Sequence, residues 1–204
     1  MNKYTFKLHK KGEQTIGYHW VDAIDQNLEE QISDLVKIVS ADTPVVGFST
    51  NITAKEMADY CNNLRKNLKE QSLRLLVIES EVDGVVGLCN IRLNQNPNNK
   101  HIADLSKGMI SPEHRGSGIL AAAFCEISRQ CERDGVEIVT LDVREKTAAE
   151  VIWQNFGFVI YGTLPDYSRS EGISYTGYYM HQPVKKLKQK ADRIVKIKAI
   201  DHPS

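Results

Sequence analysis

The stretch "SPEHRGSGIL", residues 111–120, decides how the chain is read. An apolar, strand-like run precedes it and the Ala-rich run 117–134 follows it with helical character. A strand that enters a helix through Arg115-Gly116-Ser117-Gly118 leaves the first-turn amides without internal partners. Glycine lets backbone approach a ligand closely, and a helix start favours negative charge. Arg115 adds a forked cationic donor. Two readings stay open on these residues alone: an anion cradle for a pyrophosphate, or a tight connection with a surface arginine. Two other phosphate motifs do not fit. Gly-Lys followed by Ser or Thr is absent, and Gly116-x-Gly118 meets Ala121 where a dinucleotide fingerprint needs its third glycine.

Outward from the turn, the pattern alternates between classes. "YTFKLHKK" (4–11) and "GYHW" (17–20) read as strands. Apolar residues at Leu28, Ile32, Leu35, Val36 and Val39 have helical spacing. Thr53 with Glu56 is a capping box that opens a second helix, 53–70, which accounts for the threonine of the Asn51-Ile52-Thr53 sequon. "LRLLVIES" (73–80) and "VVGLCNIRL" (85–93) form a hairpin around Asp83-Gly84. Strand 101–110, helix 117–134 and strand 136–143 make one β-α-β unit, then comes a short helix, 147–155, and strands 159–164 and 175–181. The class is α/β of the α+β kind: a mostly antiparallel, mixed sheet of six to seven strands with a central β-α-β unit. Residues 1–26 read as an extension, added hairpin or first strand, 27–183 as the main domain, and 184–204 as a basic tail.

Composition narrows the function classes. Lys plus Arg and Asp plus Glu each number 26, so net charge supports neither nucleic-acid nor membrane partners. Cys61, Cys89, Cys125 and Cys131 show no metal-ligand spacing and read as reduced thiols, so no metal is expected. The start "NKYTFKLHKKGEQ" lacks an apolar leader core and no run is long enough to span a bilayer, so a cytoplasmic location is expected.

"MISPEHRGSGI", followed by helix, strand, helix and "NFGF", resembles the GNAT superfamily of acyl-coenzyme A-dependent N-acyltransferases. Its cradle is Arg or Gln, two residues, Gly, one residue, then Gly or Ala; here Leu120 departs from the last position. "AAEVIWQNFGFVIYGTLPDY" (148–167) resembles the family's A-x-x-L-Y-x-x-x-G-F segment, and the likeness spans roughly residues 70 to 182. A narrower similarity runs to the tabtoxin-resistance type of small-molecule acetyltransferases, through His101, Ala103, Asp104, Leu105 and Lys107, "LDVREKTAAEVIW" and "LPDYSRSEGISYTGYYM".

The resemblance implies direct acetyl transfer from acetyl-CoA to the amine of a small molecule, by a monomer or homodimer. Its alternatives are an acyl-CoA-binding module without turnover and an enzyme acting on a protein or peptide amine. It implies that strands 104–110 and 136–143 part to admit the pantetheine arm. Backbone amides of Arg115, Gly116, Ser117, Gly118, Ile119 and Leu120 would hold the pyrophosphate, and Met109 and Ile110 the pantetheine. Asp104 is the expected base, against a pairing with Lys107 or His101. Trp153 stands where the family carries its acidic Tyr, and indole is no proton acid. Tyr167 and Tyr178 are therefore the candidate acids, with packing as the other reading of each. Lys146 replaces the usual Asn beside the coenzyme; it approaches a phosphate or is simply solvated. His101, Asp142 and Phe48 are candidate acceptor contacts, with Val45 and Thr50 beside Phe48.

Overall fold

The fold is taken from a computed structural model, which describes residues 4–8, 14–42, 48, 51–170 and 172–200. Eight strands form one sheet: β1 (Tyr4–Leu8), β2 (Gln14–Val21), β3 (Leu73–Ser80), β4 (Gly84–Leu93), β5 (Ile102–Ile110), β6 (Ile138–Arg144), β7 (Val159–Ser170) and β8 (Ile173–Pro183). Five helices accompany them: α1 (Gln26–Asp42), α2 (Ala54–Lys69), α3 (Ile119–Arg133), α4 (Ala148–Asn155) and α5 (Val184–Ile200). The strand order is β1-β2-β3-β4-β5-β6-β8-β7. Every pairing is antiparallel except β5 with β6, whose crossover is α3. The sheet therefore has the expected character, with eight strands against the six to seven expected, because the hairpin β1–β2 extends it beyond β3.

Two cores lie on opposite faces. On one, α1 and α2 bury Ile32, Leu35, Val36, Cys61 and Leu64 against Leu75, Val77 and Leu88. On the other, α3 and α5 cover Leu76, Ile91, Ala103, Leu105, Val139, Leu141 and Met180. Strands clothed on both faces lose the polar alternation of a half-exposed sheet, as "LRLLVIES" already shows. Ala121, Ala122 and Ala123 are all buried, so α3 lies close on the sheet. Tyr18 pins its start, donating to the Ile119 carbonyl at 3.0 Å. The tail 184–204 is helical through residue 200, and α5 buries Val184, Leu187 and Ala191. Thr53 and Glu56 form the expected capping box. All four cysteines are buried and unpaired.

One departure bears on the site. Strands β7 and β8 are longer than read, since Pro165 and Asp166 remain within β7. Pro is tolerated there because β7 is an edge strand, and a register shift between Leu164 and Ser168 absorbs the irregularity.

Close packing of α3 on the sheet gives a direct expectation. Ala122, fully buried, has no room for added methylenes. Ala122→Leu should lower the unfolding free energy by about 1–3 kcal/mol in a denaturant titration, whereas a substitution at exposed Glu132 on α3, Glu132→Gln, should change it little.

Candidate functional site

The site begins where a ladder stops. β5 and β6 pair only at Ile102–Ile138, Ala103–Val139 and Asp104–Thr140. Beyond Asp104 the two strands part, as expected. On its other side β5 stays with β4, but the register shifts between Leu88 and Asn90, so Lys107 and Gly108 together oppose Cys89. This is a β-bulge, and Lys107 takes a left-handed φ of 53° to make it.

The bulge fixes which backbone groups face the opening. Ser111 donates to the Val86 carbonyl at 2.8 Å. Two residues back, Leu88 and Met109 are again partners, and a β-carbon at Gly87 would meet the Met109 carbonyl at 2.9 Å. In an antiparallel ladder the intervening residue turns its N–H and C=O away from its partner strand. Ile110 therefore presents its backbone to the gap between β5 and β6. The Met109 side chain instead belongs to the α1/α2 core.

At the same end of β5, a short 3₁₀ turn (Pro112–His114) leads into the glycine turn. Gly116 and Gly118 have φ of 72° and 95°, conformations that side chains with a β-carbon resist. Gly118 is the N-cap of α3 and supplies no side-chain cap. The first intrahelical bond runs from Ala122 N–H to the Gly118 carbonyl, at 3.1 Å. The amides of Ile119, Leu120 and Ala121 thus have no acceptor within the helix. The Ser117 hydroxyl is turned back to the His114 carbonyl. Leu120 is half-buried against the α3-side core, so the residue that breaks the motif fills space with its side chain.

Arg115 does not hold its fork open. Its Nε donates to the Ile110 carbonyl at 3.1 Å and its Nη1 to Asp42 at 2.5 Å. Asp42 sits at the C-terminal end of α1, where a carboxylate is disfavoured by the helix dipole and a guanidinium offsets it. Lys146 is likewise turned elsewhere: its ammonium lies 3.4 Å from Glu145, and its N–H donates to Glu150.

The face of the sheet opposite α3 carries the titratable groups. Asp104 accepts from the Thr140 hydroxyl at 3.2 Å. Ladder partners extend this row from Arg92 through Asp104 and Thr140 to His181. Asp142 and its partner Tyr179 form the next row, with Tyr161 between the rings of Tyr179 and His181. Burial first, then the charge of Asp142, pushes the Asp104 carboxyl up to about 6, against smaller pulls from Thr140 and Arg92. Asp142 is also raised, by loss of solvation, while Lys107 and Arg92 draw it down. Burial lowers Lys107, and Asp142 acts against that. The Lys107 ammonium lies 4.1 Å from the centre of the Phe48 ring. Lys107, with His101 the alternative pairing for Asp104, feels the charge of Asp142.

Tyr167 donates to Asp142, and a β-carbon at Gly177 would collide with its ring, so glycine there admits the tyrosine. Tyr178 lies on the other face and donates to Glu145 at 3.1 Å. The two candidate acids are thus separated by the sheet. Trp153 packs on Phe124 and Phe158, with ring centroids at 5.6 and 5.4 Å. Its outer edge lies 3.8 Å from where a β-carbon on Gly108 would stand, so it borders the bulge from the α4 side. His101 is exposed before β5, and its carbonyl accepts from Glu137 and Ile138 to start the β5–β6 pairing. Val45 and Thr50 lie outside the described residues. Sequence reading missed Arg92, Thr140, Tyr161, Tyr179 and His181; strand register finds Arg92 and Thr140, each across from Asp104, and Tyr179, across from Asp142, whereas His181 pairs with Thr140 and Tyr161 is reached through its ring contacts.

Among the described residues no group of three or more His, Cys, Asp or Glu is placed to hold a metal ion. None of their helices is long and apolar enough to cross a membrane.

Comparisons with known proteins bear on this arrangement. A family model described as an acetyltransferase (GNAT) domain matches residues 7–181. The fold is similar to that of a GNAT-family acetyltransferase from Streptococcus pneumoniae (TM-score 0.66, 20% identity, 82% of this chain and 98% of that one). It is also similar to the spermidine N-acetyltransferase from Vibrio cholerae in complex with CoA and spermine (0.67, 18%, 84% and 97%). The ribosomal-protein-alanine N-acetyltransferase from Brucella melitensis matches comparably (0.66, 15%, 81% and 98%).

The raised carboxyl has a stability signature. Asp104 moves from its ordinary 3.8 to about 6 on folding, so the folded state binds the proton more tightly. Below the lower value both states are protonated and no difference arises. As pH rises through that window the unfolded state ionises first, and the native state pays a penalty that is complete above about 6. Asp104→Asn should therefore be more stable than the parent at neutral pH, by about 1–2 kcal/mol after discounting for solvent access. In urea titrations across pH, that gain should fade as the pH drops toward about 4.

Proposed function

The chain belongs to the GNAT acetyltransferase family, and from that premise we propose that it acetylates the primary amine of a small molecule, with Asp104 as general base. The observation that carries this reading is the position of Asp104. It is the last paired residue before β5 and β6 part, and its carboxyl titrates at about 6. A base poised just below neutrality is ionised at working pH, yet basic enough to take a proton from an ammonium on its way to attack.

The family uses acetyl-CoA as co-substrate, and the residues present fit it. The start of α3 offers uncapped amides at Ile119 and Leu120, and the two left-handed glycines bring backbone close. Ile110 turns its N–H to the gap, where it can serve a pantetheine carbonyl or a developing oxyanion. Met109 contributes through its place in the strand, and its side chain stays in the core. When bound, acetyl-CoA supplies an activated thioester. This chain's residues do the rest. Asp104, directly or through one water, accepts the proton of the acceptor ammonium. Asp142 and the Tyr167 hydroxyl on it hold that ammonium beside the gap. Trp153 lines the far side and excludes water without donating a proton. Tyr178, bonded to Glu145, is the tyrosine on the α4-side face from which a proton can reach a departing thiolate.

Thiol release from acetyl-CoA in the presence of an amine panel tests the activity. Transfer to at least one small amine is expected, with kcat falling as pH drops through about 6. Asp104→Asn should lower kcat by about 10²–10⁴ and remove that limb, while calorimetric CoA binding stays within about threefold of the parent. Unchanged turnover in Asp104→Asn would contradict the assignment of the base.

A further inference from the structure

The glycine turn that opens α3 has the loosest backbone at the site, yet it must hold one shape to present its amides. Gly116 and Gly118 lose more conformational freedom on ordering than other residues do, and the helix start has no side-chain cap. Between Ser111 and Gly118 one residue has a buried side chain: His114, 9% exposed. Nothing in the transfer chemistry uses it.

Both ring nitrogens of His114 are engaged. Nε2 lies 3.1 Å from Asp83 Oδ2, and Nδ1 lies 3.4 Å from the Ser111 hydroxyl. A carboxylate only accepts, so Nε2 carries the proton, and in the neutral ring Nδ1 is left to accept from Ser111. The backbone of the same residue closes the turn. Its N–H donates to the Ser111 carbonyl at 2.9 Å, and its carbonyl accepts from the Ser117 hydroxyl. His114 therefore joins the end of β5 to the glycines.

The far end of this link is fixed as well. Asp83 sits in the β3–β4 turn, where the buried Ser80 hydroxyl accepts from the amides of Val82 and Asp83, both at 3.2 Å, and lies 3.4 Å from the Asp83 carboxylate. Gly84, with a φ of 68°, lets α1 come close: a β-carbon there would meet Gln31 Oε1 at 2.7 Å, and that oxygen accepts from the Val85 N–H at 3.1 Å. Contacts thus run from α1 through the β3–β4 turn and Asp83 to His114. The Arg115–Asp42 pair also ties the glycine turn to α1, but both of its partners are exposed and solvent weakens it. The His114 ring is buried, where a hydrogen bond keeps more of its strength.

We propose that His114, held by Asp83 and Ser111, is the positioning residue of the pyrophosphate cradle, setting the glycine turn in its receptive shape before the coenzyme arrives. This rests on the acetyl-CoA reading of that turn. His114 acts through the backbone it orders and not on the reacting atoms. A cradle ordered in advance loses less entropy on binding, so the effect falls on affinity for a donor that carries the pyrophosphate, and not on kcat.

The experiment uses Asp83→Ala, Asp83→Asn and His114→Phe. Asp83→Ala removes the anchor at a half-exposed side chain, His114→Phe fills the buried space without the polar atoms, and Asp83→Asn keeps an oxygen that can accept from Nε2. Amide exchange followed by NMR on the coenzyme-free protein reads the turn itself. In Asp83→Ala and His114→Phe, exchange at His114, Arg115 and Ala122, whose acceptors lie within the turn, should quicken by about tenfold, with α2 unchanged. The calorimetric Kd for CoA and the KM for acetyl-CoA should rise about tenfold with kcat within about twofold, and Asp83→Asn should keep most of the parent's affinity. Transfer from S-acetylpantetheine, which lacks the pyrophosphate, should change by less than about twofold. Unchanged exchange in the turn, an unchanged Kd for CoA in both disruptive variants, or equal losses of kcat/KM with S-acetylpantetheine and acetyl-CoA would overturn the proposal. If the parent binds no CoA, the acetyl-CoA reading fails; quickened exchange would then still keep His114 as the clamp of the turn, and unchanged exchange would reject that too.

Discussion

Everything at this site depends on the parting of β5 from β6 after Asp104 and Thr140. A continuous parallel ladder would consume the backbone groups of β5 on both sides. Because the ladder ends, Ile110 turns N–H and C=O to an open edge. Three features enforce the separation. The bulge at Lys107 and Gly108 bends β5, the 3₁₀ turn and left-handed glycines redirect the chain into α3, and Trp153 occupies the α4 side of the opening. Small residues on α3 hold the helix close enough for its start to reach that edge. Fold stability and site geometry are thus the same contacts seen from two sides.

The electrostatics follow from the same parting. On the α3 side the sheet is apolar, and the buried carboxylate of Glu126 on α3 is held by Trp20, Arg129 and Arg133. On the other side α1 and α2 cover β3 and β4, and the rows through Asp104 and Asp142 lie beyond that cover. Partial burial and the neighbouring carboxylate of Asp142 keep Asp104 harder to ionise than an exposed aspartate, and Thr140 and Arg92 limit how far that goes. The native state tolerates a destabilising carboxyl at the place where a base is useful, which is a common relation between stability and function. Arg115 adds a connection between the two halves. Its guanidinium joins the open edge of β5 at Ile110 to the end of α1 at Asp42, so one side chain ties the glycine turn to both.

Local signals were legible in the sequence and distant ones were not. The glycine turn, the capping box at Thr53 and the strand-helix-strand unit depend on neighbours within a few residues, and each was readable. Asp104 was found by resemblance, and its raised carboxyl then emerged from burial and Asp142, neither visible in one dimension. The bulge left no mark because its positive φ falls on Lys107 rather than on the adjacent glycine. The engagement of Arg115 links residues 73 apart, and no local pattern encodes it. Strand β7 was cut short because Pro165 ordinarily ends a strand; its place at the sheet's edge lifts that restriction. Tyr167 and Tyr178 looked equivalent until register put them on opposite faces.

The central claim is that the edge opened at Ile110 and the start of α3 together receive acetyl-CoA. A crystal structure of the protein with CoA bound tests it most directly. The account predicts the pyrophosphate on the backbone amides between Gly116 and Leu120, and the pantetheine paired with Ile110 between β5 and β6. CoA seated elsewhere, with β5 and β6 closed on one another beyond Asp104, would contradict it.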